Sequence, residues 1–236
     1  MTATGDRAET GWRSGRPESA PRSDGNDDSR SSTLRGLTLD DVLDLRGYER
    51  VREDYRARVM ERKKHRRVAL GSIMTLVFEC LDTVRFQVQE MARVEKIISD
   101  ETIQTELDIY NRLLPTKGEL SATLFIELTS EAELREWLPK LVGIERHLGI
   151  AVDGDLVMSV PESQHAAALV RETVTPAVHY VRIPFTEVQV AAFRGAAEVA
   201  LVSTHPANEA RTVLTPDVRV ELRGDLEGTT KTLPIG

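Results

Sequence analysis

Cysteine is nearly absent: the 236-residue chain has one, Cys80. That excludes an intrachain disulfide, a dithiol redox motif and zinc sites built on Cys-x-x-Cys. Cys80 stands beside Val77, Phe78 and Leu81 and reads as a small buried hydrophobe. Aromatics make up 5% of the residues, so the core must rest on Leu, Val, Ile and Ala. No run approaches the roughly 20 apolar residues that span a bilayer. The N-terminus also lacks the apolar stretch of a secretory signal. The cytoplasm is therefore the expected location, with no membrane partner. Glycines never fall into phosphate-loop spacing, and neither G-x-G-x-x-G nor G-x-x-x-x-G-K-[ST] occurs. G-x-S-x-G and His-Glu-x-x-His are missing too. The sequence names no cofactor.

What is present is uneven charge. The formal net charge is −7. Residues 1–36 carry six Arg and six Asp or Glu, and residues 46–67 carry ten Lys or Arg against four acids. A basic strip on an acidic body is the main electrostatic feature of the sequence. Residues 1–36, rich in Ser, Arg, Asp, Gly and Pro, cannot bury enough apolar surface to offset ordering entropy, and read as a disordered tail.

Order is expected from Leu37. Thr38 and Asp41 suggest a capping box opening a short helix through Leu45, with Gly47 as punctuation. Tyr48, Val51, Tyr55 and Val59 make one stripe of a helix. Strands are expected at 68–71 and 73–79, with a turn at Asp82-Thr83. Val84, Val88, Met91, Val94 and Ile98 then read as one helical face. A helix over about 101–113 stops before Pro115.

From Leu120 the pattern turns βαβ-like: a strand over 122–128, a Ser130/Glu133 capping box and helix, then strands at 147–152 and 155–160 joined by Asp153-Gly154. A second such unit runs through a strand at 178–185, a Thr186/Gln189-capped helix and a strand at 198–203. Residues 161–176 fit a short helix or a loop. Thr215-Pro216 opens the last helix. The expected fold is α+β, a mixed or mainly antiparallel sheet with helices packed on it. It forms a single domain over 37–228, with halves at 37–117 and 118–228.

Chemistry-bearing candidates are few. Glu79, Asp82, Glu90 and Glu95 bracket a strand-to-helix junction, where paired carboxylates can act as acid and base or hold a hard cation. Glu90 and Glu95, five apart, do not share a helical face. His205, before Pro206 at a strand end, could serve as acid, base or ligand, but Thr-His-Pro reads first as a turn. Glu162-Ser-Gln-His165 has the Glu-x-x-His spacing of di-iron bundles, which need two copies. The basic residues Arg50, Arg52, Arg56, Arg58, Arg62, Lys63, Lys64, Arg66 and Arg67 would suit a phosphate backbone. The preferred reading is a solvated face whose Arg side chains pair with Glu49, Glu53, Asp54 and Glu61 or with the acidic body.

Several stretches resemble one bacterial family, domain of unknown function 3501. They are Leu37-Thr-Leu-Asp-Asp-Val-Leu, Tyr48-Glu-Arg-Val-Arg, Arg67-Val-Ala-Leu-Gly, Phe78-Glu, the block from Asp82 to Glu95, Ala122-Thr-Leu-Phe-Ile-Glu, Leu141-Val-Gly-Ile-Glu and Val178-His-Tyr-Val-Arg. The resemblance runs from about Leu37 to Leu226. It implies an accessory role beside rubrerythrin-like di-iron proteins and iron–sulfur oxidoreductases, next to which members tend to be encoded. It brings no catalytic residue with it. In this family an acidic residue often precedes His-Pro; here Thr204 stands there.

Three functions follow as expectations. The first is an accessory protein, non-enzymatic or weakly enzymatic, that binds a redox partner in oxidative-stress defence. The second is a nucleic-acid-binding module using the basic helix at 48–67. The third is a metal-dependent enzyme built on the carboxylates and His205.

Overall fold

The computed structural model describes residues 35–162 and 174–235. The expected tail, save its last two residues, lies outside the described residues, as do residues 163–173 with His165. The described chain is α+β. Its helices are α1 (Leu45–Lys64), α2 (Leu81–Glu95), α3 (Asp100–Tyr110), α4 (Glu131–Trp137), α5 (Glu187–Gly195) and α6 (Pro216–Glu227). The strands are β1 (Arg67–Leu70), β2 (Met74–Phe78), β3 (Glu119–Ile126), β4 (Leu148–Val152), β5 (Asp155–Met158), β6 (Val160–Pro161), β7 (Val178–Pro184), β8 (Val199–His205) and β9 (Asn208–Val213).

The strands form two antiparallel sheets, ordered β1-β2-β3-β7-β6 and β5-β4-β8-β9. The two strand–helix–strand units are present, but not as βαβ crossovers within one sheet. Each leaves the five-stranded sheet, forms a capped helix and enters the four-stranded sheet as a hairpin. β3 pairs with β7 and β4 with β8, so the units lie side by side and every pairing is antiparallel. Asp153 and Gly154 both have positive φ, 48° and 98°, as a two-residue primed turn between β4 and β5 requires.

Strand alternation sets the layers. Leu120, Ala122, Leu124 and Ile126 of β3 join Leu76, Phe78, Val181, Ile183, Ile150 and Leu201 in one core shared by both sheets. Ser121 and Thr123 point to the opposite side and are also buried. There Val84 and Val88 of α2 and Leu107 of α3 gather Tyr180 of β7 into a second cluster. A third joins Tyr48, Tyr55 and Val59 of α1 to Phe86 of α2, covered by Leu233 and Ile235.

Four local expectations are corrected. The helix expected through Leu45 stops as a 3-10 turn, Leu39–Asp41. Gly47 does not punctuate; it sits in the first turn of α1, donating its N–H to the Asp44 carboxylate at 2.7 Å. Asp82 and Thr83 are not a turn but the first turn of α2, where the Thr83 hydroxyl accepts the Cys80 N–H at 2.9 Å. Val94 and Ile98, expected on the apolar face, are 69% and 87% exposed, because α2 buries Leu81, Val84, Val88 and Ala92 instead.

The capping boxes behave as read. Glu133 accepts the Ser130 N–H at 2.9 Å, and Ser130 accepts the Glu133 N–H at 3.2 Å. Ser130→Ala should cost about 1 kcal/mol in a urea melt. An unchanged midpoint would mean that α4 is held from elsewhere.

Candidate functional site

The densest polar cluster surrounds the start of α2. Glu79 ends the extended run of β2 with its side chain away from the shared core. Its carboxylate is 2% exposed and accepts from Thr83 (2.5 Å), Thr123 (2.6 Å) and Gln87 (3.1 Å), all neutral donors. Asp82, 1% exposed, faces Arg62 of α1 and Arg85 of α2 and accepts the Leu233 N–H with both oxygens at 3.1 Å. Burial pushes the Asp82 carboxyl upward, against the opposing pull of the Leu233 N–H and the two guanidinium groups. Arg66, fully buried, forks onto Asp225 of α6 at 2.8 and 3.0 Å and reaches Glu221 at 2.9 Å. Cys80 lies buried beside this network, and desolvation raises its thiol.

Glu79 and Asp82 thus both lie at the start of α2, each with its own set of partners and none in common. Glu90 does not join them: it accepts from the Tyr48 hydroxyl at 2.7 Å and is clamped by Arg52 at 2.8 Å, tying α1 to α2. Glu95 is exposed at the end of α2. His205 ends β8 in the other sheet. Its Nδ1 accepts the Ala207 N–H at 3.2 Å and its Nε2 lies 3.3 Å from the Val142 carbonyl, so the backbone engages both ring nitrogens. Pro206-Ala207 is the turn into β9. Among the described residues, no group of three or more His, Cys, Asp or Glu could hold a metal ion.

The basic strip is largely engaged within the molecule. Arg52, Arg62, Lys64, Arg66 and Arg67 form ion pairs with Glu90, Asp82, Glu61, Asp225 and Glu127. Lys63 lies 5.5 Å from the centre of the Phe86 ring. Among the described residues, Arg50, Arg56 and Arg58 form no ion pair, and the Arg58 Nε is buried without a partner. Arg52 and Arg62 thus brace α1 against α2, and Arg66, just past the end of α1, braces it against α6.

Sequence reasoning missed one constellation. His179 of β7 is 6% exposed; its Nε2 lies 2.9 Å from the Thr175 hydroxyl and its Nδ1 3.7 Å from Glu145 Oε2. Glu145 sits in a 3-10 turn, Ile144–Arg146, and is 6% exposed. Its Oε2 finds no hydrogen-bond partner among the described residues. Burial lowers the His179 pKa, against the opposing pull of the Glu145 charge. Both residues fall in stretches that carry the family resemblance, but 34 positions separate them, and sequence spacing did not reveal their pairing.

Among the described residues, no helix is long and apolar enough to cross a membrane. No curated protein matches the chain. It is similar to a solved structure, a protein of unknown function from Burkholderia pseudomallei K96243. Identity is 36% and the TM-score 0.75, over 81% of this chain and 100% of that one. Residues 36–226 match the model of the family described as "Protein of unknown function (DUF3501)". The sheets, the side chains clustered at the start of α2 and the Glu145–His179 pair lie within that span, Leu233 falls outside it, and the chain belongs to the DUF3501 family.

Proposed function

We propose that this protein is a cytoplasmic accessory protein that docks a redox protein on the outer face of its four-stranded sheet. The observation that carries the reading is a shallow depression across that face. Ala151, Leu156 and Val202 line its floor, and Asp153, Glu198, Glu209 and Arg211 line its margin. Leu156 is 41% exposed, and Val213 of the neighbouring β9 is 49% exposed. An apolar centre with a polar margin is the composition of a protein docking surface. Arg211 is paired with Glu198, so the margin is net acidic and suits a partner surface bearing Lys or Arg. The redox class of that partner follows from the family resemblance.

The test is a binding titration of the full chain against a purified rubrerythrin-like di-iron protein and an iron–sulfur oxidoreductase. Saturable binding to one of them is expected, weakened at least tenfold by Leu156→Arg with Val202→Arg and weakened further by salt. Binding to neither, or binding indifferent to both substitutions, overturns the reading.

A further inference from the structure

Residues 229–235 form no helix or strand, yet they are held by side chains of α1 and α2. Asp82 accepts the Leu233 N–H with both carboxylate oxygens at 3.1 Å, and Arg85 donates to the Leu233 carbonyl. Arg62 donates to the Lys231 carbonyl at 2.7 Å. Both main-chain groups of residue 233 are therefore read, while its side chain and that of Ile235 pack against Tyr48, Tyr55, Val59 and Phe86. Pro234 between them has no N–H to satisfy and is exposed. These contacts are of the kind that hold an extended peptide: charged side chains engage the backbone, and an apolar floor takes alternate side chains.

The residues of the groove lie inside the family match, which ends at residue 226, and the strap lies outside it. Gly228, at φ 70°, ends α6 and turns the chain into the strap. Lys231, Thr232 and Pro234 are exposed, and Leu233 and Ile235 are half-buried.

We infer that the cleft between α1 and the start of α2 is a groove for an extended peptide of apolar-Pro-apolar pattern. Residues 229–235 fill it in cis, and a partner segment of the same chemistry fills it when they leave. The inference is independent of the docking face on the four-stranded sheet. A tethered strap competes at an effective concentration of about millimolar, so the intact chain takes a free peptide poorly.

The experiment uses the full chain and a fluorescent synthetic peptide, Thr229–Gly236. Leu233→Asp with Ile235→Asp frees the strap. This variant should bind the peptide at least tenfold more tightly than wild type, and a peptide carrying the same two substitutions should not bind. A folded variant that binds no better than wild type overturns the inference. Should the variant fail to fold, a protease site placed between Gly228 and Thr229 is cut after folding. Replacement of the cut strap by labelled peptide supports the groove. A strap retained through hundredfold peptide excess makes it a fixed part of the fold and overturns the proposal.

Discussion

Asp225→Ala is expected to destabilise the chain by about 3–5 kcal/mol, the cost of leaving a buried charge without its partner. Arg66 is 0% exposed and its principal anion, Asp225, 1% exposed. Glu221 would remain at 2.9 Å from Nε, but it is a quarter exposed, and the forked contact with Asp225 would be gone. The Phe78 and Glu79 carbonyls, at 3.5 and 3.4 Å, are weak acceptors. Arg66 lies between α1 and β1 and Asp225 on α6, so the pair fastens both ends of the described fold. Arg66→Met combined with Asp225→Leu should recover most of the loss, since apolar residues of similar volume often replace a buried ion pair at little cost. Urea melts of the three variants decide it. A double variant as unstable as the single one would mean that the pair does more than neutralise itself.

The sequence made this pair hard to see, and the reason is physical. Arg66 sits in a run of like charges, Arg62-Lys63-Lys64-His65-Arg66-Arg67, where local pattern implies a solvated face. Only tertiary contact with α6 separates fully buried Arg66 from its less buried neighbours. The same limit hid β9: Glu209, Arg211 and Val213 point outward and Asn208, Ala210 and Thr212 are half-buried, so its alternation lacks an apolar face. Elements with a strong local signature were legible. Of the Tyr48-Val51-Tyr55-Val59 stripe, all but the half-buried Val51 are fully buried, the Asp153-Gly154 hairpin has its positive φ values, and the Ser130/Glu133 and Thr186/Gln189 boxes form. Sheet membership was not legible, because a capped helix after a strand reads the same whether the next strand joins the same sheet or another. Of the candidate carboxylates, Glu79 and Asp82 flank one helix start because they lie three residues apart, but they take different partners. His205 is held elsewhere by its own turn.

Glu145→Gln is expected to stabilise the protein at pH 7.5, because a buried acceptor without a donor costs more as a charged carboxylate than as a neutral amide. At that pH His179 is neutral, because burial holds its pKa below the ordinary 6.5. Its Nδ1 is 3.7 Å from Glu145 Oε2, beyond hydrogen-bond reach, and Arg146 stands 4.0 Å from the other oxygen on the exposed side. Acid should expose the pair. Below pH 6.5 the unfolded chain protonates this histidine while the native chain does not, so stability present above 6.5 falls as the pH drops toward the native value. One proton allows a slope of at most about 1.4 kcal/mol per pH unit. His179→Gln should remove that part of the acid dependence. Glu145→Gln should deepen it, because the carboxylate that favours the imidazolium is gone. Urea midpoints at pH 7.5 and 5.5 for wild type and both variants measure all of this. A Glu145→Gln protein that is less stable at pH 7.5 would show that the carboxylate has a donor in the native state. Greater stability would mark Glu145 as a residue kept at a cost to the fold, the signature of a group retained for what it does.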